Sequence, residues 1–232
     1  IASERELLAN VSHELRTPLA RIRVALELAE EDRADEASLA SIREDLVELE
    51  ELIEDVLTAS RLDLAANPLA ARREPVDLTA LVERVARQFG ERHPDRRLQV
   101  DADGGALVAG DERLLRRALH NLLDNAAKYS DASDDDDGAL ELSVYAEPSG
   151  VCLEVRDRGI GVPEEDLPRL FEPFFRSDRS RERGTGGVGL GAALCRRIAT
   201  AHGGTIEAER RDGGGLIVRL KIEAPADASK AS

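Results

Sequence analysis

Residues 39–60 read LASIREDLVELEELIEDVLTAS. Apolar side chains recur at Leu39, Ile42, Leu46, Leu49, Ile53 and Val56, with Ser60 as a polar last member. The steps alternate between three and four, which is the seam of a helix that packs along another helix for several turns. A similar period runs through Leu8, Val11, Leu15, Ile22, Leu26 and Ala29, and the charged run 30–36 connects the two. Two long helices with a short connection read as an antiparallel hairpin. One hairpin cannot bury both apolar stripes. Two copies can, as a four-helix bundle, so the seam predicts a homodimer. The alternative is a hairpin packed on the rest of its own chain.

The chain has 232 residues, enough for one large domain or two modest ones. It has no Trp and four Phe, so its core must be built from Leu, Val, Ile and Ala. The formal net charge of −15 argues against a nucleic-acid binder. That charge is uneven: residues 1–70 carry 7 basic and 17 acidic side chains, and the remainder 25 and 30. An acidic helical pair therefore precedes a more balanced domain. Cys152 and Cys195 each stand in an apolar run and read as buried free thiols of a reducing compartment. No apolar run reaches the ~20 residues of a membrane span, so no membrane contact is expected from this chain. It starts in mid-pattern at Ile1 and reads as a fragment of a longer protein.

Asn67 to Pro75 holds two prolines and ends the hairpin, giving a first domain over 1–67 and a linker over 68–76. The second domain is expected over 77–224, with a frayed tail from 225 to 232. Asp77 and Asp111 are good N-caps for helices reaching about Phe89 and Ser130. Strands are expected at Leu98–Val100, Leu107–Ala109, Ala139–Ala146 and Val151–Asp157, and near 205–210 and 215–222. A last helix runs to about His202, closed by Gly203 and Gly204. The stretch 158–188 has little periodicity, and an irregular segment of that length inside a domain is usually functional. The pattern is an all-α helical hairpin followed by an α+β two-layer sandwich, several strands in one layer and three helices in the other.

Ser12-His13-Glu14-Leu15-Arg16-Thr17-Pro18-Leu19 lies inside the first expected helix. His13 and Thr17 are four residues apart and share a helix face. Glu14 stands about 100° round, beside the imidazole. Pro18 removes one helical hydrogen bond and crowds the carbonyl of Glu14, which predicts a kink one turn beyond the histidine. Further on, Asn121, Asn125 and Lys128 line one face of a helix at steps of four and three. Amide oxygens are hard metal ligands and Lys is a cation, so this face suits Mg²⁺ and phosphate, or is a plain polar surface. Tyr129 stacks on a base or simply packs. Asp157-Arg158-Gly159-Ile160-Gly161 ends a strand with a hydrogen-bond acceptor and two glycines that permit close backbone approach, or makes a tight turn. Gly184-Thr185-Gly186-Gly187-Val188-Gly189-Leu190-Gly191 leads into a helix, whose N-terminal N–H groups favour phosphate. It is not G-x-x-x-x-G-K-[ST], so it is no P-loop. Phe171-Glu172-Pro173-Phe174-Phe175-Arg176 gathers three of the four Phe residues as a packing cluster. Arg176, Arg179, Arg181 and Arg183 can reach a terminal phosphate or stay solvated.

The order of these pieces is more specific than any one of them. The chain resembles the bacterial sensor histidine kinases of two-component systems over residues 3 to 222. Ser12 to Leu19 matches their H box, His120 to Ser130 the N box, and Asp157-x-Gly159-x-Gly161 the first glycine box. Phe171 to Arg176 matches the F box, and Gly187-Val188-Gly189-Leu190-Gly191 the second glycine box. A looser likeness is to membrane-bound sensor kinases that partner OmpR-type response regulators. The sequence departs from the family at Val188, where Thr or Ser is common, and at Ala192, where Leu is common.

The resemblance implies a dimerisation and phosphotransfer hairpin followed by an ATP-binding sandwich of the Bergerat (GHKL) type. It implies His13 as the phosphoacceptor and Glu14 as the group that takes the imidazole proton. Thr17 would support a phosphatase reaction toward the partner. Asn125 would hold Mg²⁺, Asn121 and Lys128 would contact phosphates, and Tyr129 would flank the adenine. Asp157 would accept from the adenine amine, with Gly159 and Gly161 beside it. Arg176, Gly187, Gly189, Leu190 and Gly191 would complete the phosphate end, and residues 162–188 would form a lid. No receiver-domain pattern occurs, so the phosphoryl group would pass to an aspartate of a separate protein. The fragment would be cytoplasmic, and the full-length protein anchored in the bacterial inner membrane. Two other classes compete: an ATPase of the same nucleotide fold, and a non-catalytic dimeric scaffold.

Overall fold

A computed structural model of the chain describes residues 15, 19–20, 22–24, 36–64, 73–102, 106–130, 139–148, 150–177 and 189–223. His13, Glu14, Thr17, Pro18, Arg179, Arg181, Arg183, Gly187 and Val188 lie outside them, as does the Asp run 134–137.

Helix α1 spans Glu36–Leu64 and contains the whole quoted seam. Burial does not follow that seam. Leu49 is buried, but Leu46 and Ile53 are 46% and 49% exposed. Leu52, Asp55 and Ala59 are buried instead, on a stripe set beside the seam. The reason is a second packing partner. Ala59 joins the core of the following domain, Leu62 packs against that core, and α1 lies on its last helix. One helix thus carries two apolar faces, and the period of the sequence reveals only the longer one.

The second domain begins with a strand that overlaps the end of the expected linker. β1, Glu74–Asp77, pairs antiparallel with β3, Leu107–Gly110, and Val76 and Val108 are buried opposite each other. Four residues are too few for alternation to be read, and Pro75 disguised the strand. A proline is tolerated here because the ribbon has only two strands. Helix α2 spans Leu78–Arg92, capped by Asp77 accepting from the N–H of Ala80. Helix α3 spans Glu112–Tyr129, capped by Asp111 accepting from the N–H groups of Arg113 and Leu114. Helix α4 spans Gly191–Ala201.

The main sheet has five strands: β2 (Leu98–Ala102), β4 (Leu140–Glu147), β5 (Gly150–Arg156), β6 (Thr205–Arg210) and β7 (Leu216–Glu223). Their order is β2-β4-β5-β7-β6, with β2 and β4 parallel and the rest antiparallel. Register puts Leu142, Val155, Val218 and Ala208 in one cross-strand row and Val144, Leu153, Leu220 and Ile206 in another. These rows join α2, α3 and α4 in one core. The intervening row carries Ser143, Glu154, Arg219 and Glu207. Glu154 is 1% exposed there, held by Arg156 at 2.6 Å and by Arg219. Paired guanidinium groups make a buried carboxylate tolerable. Cys152 and Cys195 are buried free thiols.

His202 closes α4 and ties it to α3. Its Nδ1 lies 2.7 Å from the carbonyl of Ile198, and its Nε2 accepts from the N–H of Asp111 at 3.1 Å. The neutral ring with its proton on Nδ1 satisfies both. A Cβ on Gly110 would stand 2.5 Å from the ring, so only glycine leaves room for it. Burial, the largest cause, holds His202 below its ordinary value of 6.5. The unfolded chain therefore takes up this proton first, so the contribution is complete above pH 6.5 and falls as pH drops below it. The unfolding free energy of the wild type minus that of His202→Gln should shrink from pH 7.5 to 5.5, as read by denaturant titration. A constant difference would contradict this account.

Candidate functional site

A cavity of about 280 Å³ opens between α3, the end of β5, the irregular segment after it and the N-terminus of α4. The face of α3 predicted from spacing is its floor: Asn121, Asn125, Lys128 and Tyr129 all line it. The opposite face of that helix buries Leu115, Leu119 and Leu123, which fixes the rotation of the polar stripe.

Asp157 follows β5 and is 8% exposed. Its Oδ1 accepts from the N–H of Gly159 at 2.7 Å and of Leu216 at 3.3 Å. Both bonds fall on one oxygen, which leaves Oδ2 for a ligand in the cavity. Burial pushes this carboxyl above the usual range, and the two N–H donors and Arg211 oppose that. Gly159 is not on the wall but behind it. A Cβ there would lie 2.3 Å from the carbonyl of Tyr129, the last residue of α3. Gly161 takes φ 62° and lines the wall. Each glycine of this turn thus has its own steric reason.

Gly189, Leu190 and Gly191 form the opposite rim. Gly189 has φ 72°, and its carbonyl accepts from the N–H of Phe174 at 3.0 Å. Phe174 itself stands at φ 63°, the one non-glycine residue at positive φ among those described. The aromatic cluster therefore clasps the glycine turn directly. A Cβ on Gly191 would come 2.8 Å from Oδ1 of Asn121, so the start of α4 meets the start of the polar stripe. Asn121 Nδ2 is buried at this end of the cavity. Arg176 lines the same end and interacts with Tyr129, whose hydroxyl burial raises and Arg176 lowers. The ammonium of Lys128 lies 5.9 Å from the centre of the Tyr129 ring. Of the predicted site residues, Gly187 and the triad His13, Glu14 and Thr17 lie outside the described residues.

Among the wall residues missed by sequence reasoning are two from the hairpin. Leu52 and Asp55 of α1 line the cavity from the hairpin side. Asp55 Oδ1 accepts from Nε of Arg117 at 2.8 Å, and the two side chains are 11% and 23% exposed. Burial is the largest influence on Asp55 and raises it; Arg117 and then Asn121 lower it. The signal was present: Leu52, Asp55, Ala59 and Leu62 repeat at three and four, with one carboxylate in an apolar row.

These features invite comparison with known proteins. Residues 110–226 match the family described as histidine kinase-, DNA gyrase B-, and HSP90-like ATPases. Residues 3–65 match the His Kinase A (phospho-acceptor) domain, and with both in order the chain belongs to the two-component sensor histidine kinases. It is 38% identical over 216 residues to the sensor protein RstB of Escherichia coli, covering 93% of this chain and 48% of that protein. It superposes on the histidine kinase AdeS of Acinetobacter baumannii with a TM-score of 0.71 and 29% identity, covering 91% and 97% of the two chains. Full-length ShkA in complex with AMPPNP is similar at TM-score 0.64 and 29% identity, covering 95% of this chain and 46% of that one. The chain spans about half the length of the curated relatives it matches. Among the described residues, no helix is long and apolar enough to cross a membrane.

Proposed function

We propose that the cavity binds ATP with Mg²⁺ and that the chain phosphorylates itself on His13, then passes the group to an aspartate of a separate response regulator. One observation carries this: a single cavity gathers Asn121, Asn125, Lys128, Asp157 and the glycines at the head of α4. The residues fit the ligand. Oδ2 of Asp157 suits an exocyclic amine, and the buried Nδ2 of Asn121 suits a phosphate oxygen. Leu216, Val155 and Ile160 give the Asp157 end an apolar wall for a base. Asn125 would hold Mg²⁺ through its amide oxygen, and the ion would offset charge developing on the phosphates.

In the transfer, a ring nitrogen of His13 attacks the γ-phosphorus. An N–P bond forms, the bond to the bridging oxygen breaks, and ADP leaves. The proton on the other ring nitrogen becomes acidic as this happens, and Glu14 accepts it, an assistance worth roughly 10²–10⁴-fold. Asn121, Lys128 and Arg176 orient the phosphates, while Tyr129 flanks the adenine. The partner would be an OmpR-type regulator, as the looser likeness suggests. Leu46, Ile53 and Leu57 stand half exposed along α1 and would be covered by a second copy in a homodimeric bundle. The relatives' greater length is consistent with a sensor whose remaining part is anchored in the inner membrane.

Incubation with γ-labelled ATP and Mg²⁺ tests the reading. Acid-labile, base-stable label on the protein supports it. Phosphate release without label would instead indicate an ATPase of the same fold, and neither result would indicate a scaffold. The chain is also read as a phosphatase toward its phosphorylated partner, with the Thr17 hydroxyl positioning a water. Thr17→Ala should then lower partner dephosphorylation at least ~10-fold and leave self-labelling near the wild-type level. Equal loss of both activities would remove that role from Thr17.

A further inference from the structure

The hairpin helix does more than carry the catalytic domain. Leu52 and Asp55 of α1 are part of the cavity wall, and the buried stripe Leu52, Asp55 and Ala59 seats α1 on the helices that build the site. Within that contact Asp55 pairs with Arg117, and Arg117 stands one turn before Asn121 on the same face of α3. The Asp55 carboxylate is close enough to the Asn121 amide to be lowered by it. A carboxylate from the hairpin therefore borders the end of the cavity where phosphates would lie.

We propose that the Asp55–Arg117 pair is an electrostatic latch between hairpin and catalytic domain, opened by nucleoside polyphosphate in proportion to its charge. The argument rests on the reading of the cavity as an ATP site. Phosphates near Asn121 bring negative charge toward a carboxylate that is shielded from water, where repulsion is weakly screened. Docked α1 thus weakens triphosphate binding, and by linkage triphosphate binding weakens the docking of α1 by the same factor. Released from α1, the catalytic domain can carry its nucleotide to His13. With adenosine there is no such repulsion, and the latch stays shut. Asp55 is in this sense a specificity-setting residue contributed by the hairpin.

The test is calorimetric binding of adenosine, ADP and a non-hydrolysable ATP analogue to the wild-type chain and to Asp55→Asn. The variant should bind the triphosphate about tenfold tighter, ADP by a smaller factor, and adenosine with unchanged affinity. One common factor for all three ligands, or no change for any, overturns the latch. If neither protein binds any of the three, the ATP-site reading falls and the latch with it. Asp55→Asn removes a carboxylate that pairs with the part-buried Arg117, so a measurement on the wild type accompanies it. Amide hydrogen exchange over residues 52–62 should speed up with the triphosphate analogue and not with adenosine. Equal protection in both states overturns the proposal whatever the variant does.

Discussion

His13→Gln is expected to abolish labelling by γ-labelled ATP while leaving nucleotide affinity within about twofold of wild type. The loss should be complete to background, at least ~100-fold, because glutamine has no nucleophilic lone pair to replace the ring nitrogen. The separation between binding and labelling is the informative part. The cavity residues come from α3, the turn after β5, the head of α4 and one face of α1, and none is adjacent to residue 13 in sequence. A histidine that served only to pack its helix would be replaced at little cost to labelling. Residual label above a tenth of wild type on the variant would mean that another side chain accepts the phosphoryl group. His120 is the nearest alternative by motif, but its Nδ1 lies 2.7 Å from Nη2 of Arg92, and burial with that cation holds it below its ordinary value. Its ring faces the helix pair α2 and α3 rather than the cavity. Scintillation counting after alkaline and acid washes decides between these outcomes.

Asp157→Asn should weaken ATP binding by roughly 10- to 150-fold, the effect of losing a hydrogen bond of about 1.5–3 kcal/mol to a charged acceptor. Asparagine keeps one oxygen, which can still accept from Gly159 and Leu216, so the turn is retained. What changes is Oδ2, replaced by an amide that presents donors to a donor. Repulsion between like donors makes the mismatch worse than simple absence. Guanosine nucleotides, which present an acceptor at the equivalent ring position, should lose far less or gain. Binding measured with both bases therefore separates recognition from collapse. An equal loss for ATP and GTP would move Asp157 from base recognition to a purely structural role.

The sequence carried the sandwich well because its signals are local. Asp77 and Asp111 are caps whose side chains bond N–H groups within three residues. The polar face of α3 follows from helical period alone, since Leu115, Leu119 and Leu123 fix its opposite side. Spacing put Asn121, Asn125 and Lys128 on one helix face for the same reason, and all three line the cavity. What stayed hidden is non-local. β1 is recognisable only through β3, about thirty residues on, because Val76 needs Val108 to be read as buried. The wall role of Asp55 depends on which face of α1 meets the second domain, and the longer seam in the same helix masks that face. The need for glycine at 159 comes from a carbonyl of another element, at Tyr129, which no pattern within 157–161 encodes. Within-element information was legible, and between-element information was legible only where the family motifs carried it.

The interlocking of backbones around Asp157 has a consequence for how a base would be received. A Cβ at 159 would meet the carbonyl of Tyr129, and one at 215 would come 2.1 Å from the carbonyl of Asp157 itself. Helix α3, the turn at 157–161 and the hairpin between β6 and β7 are thus keyed together at three points, with Ile160 also donating to Tyr129 at 3.2 Å. Such a joint can neither open nor slide without disturbing all of its parts. The entropy lost in fixing this half of the site is lost on folding, before any ligand arrives, and so does not count against affinity. Any adjustment to a ligand would then fall to the other half. A ligand anchored there by its base would direct its conformational work outward, toward the wall that α1 supplies.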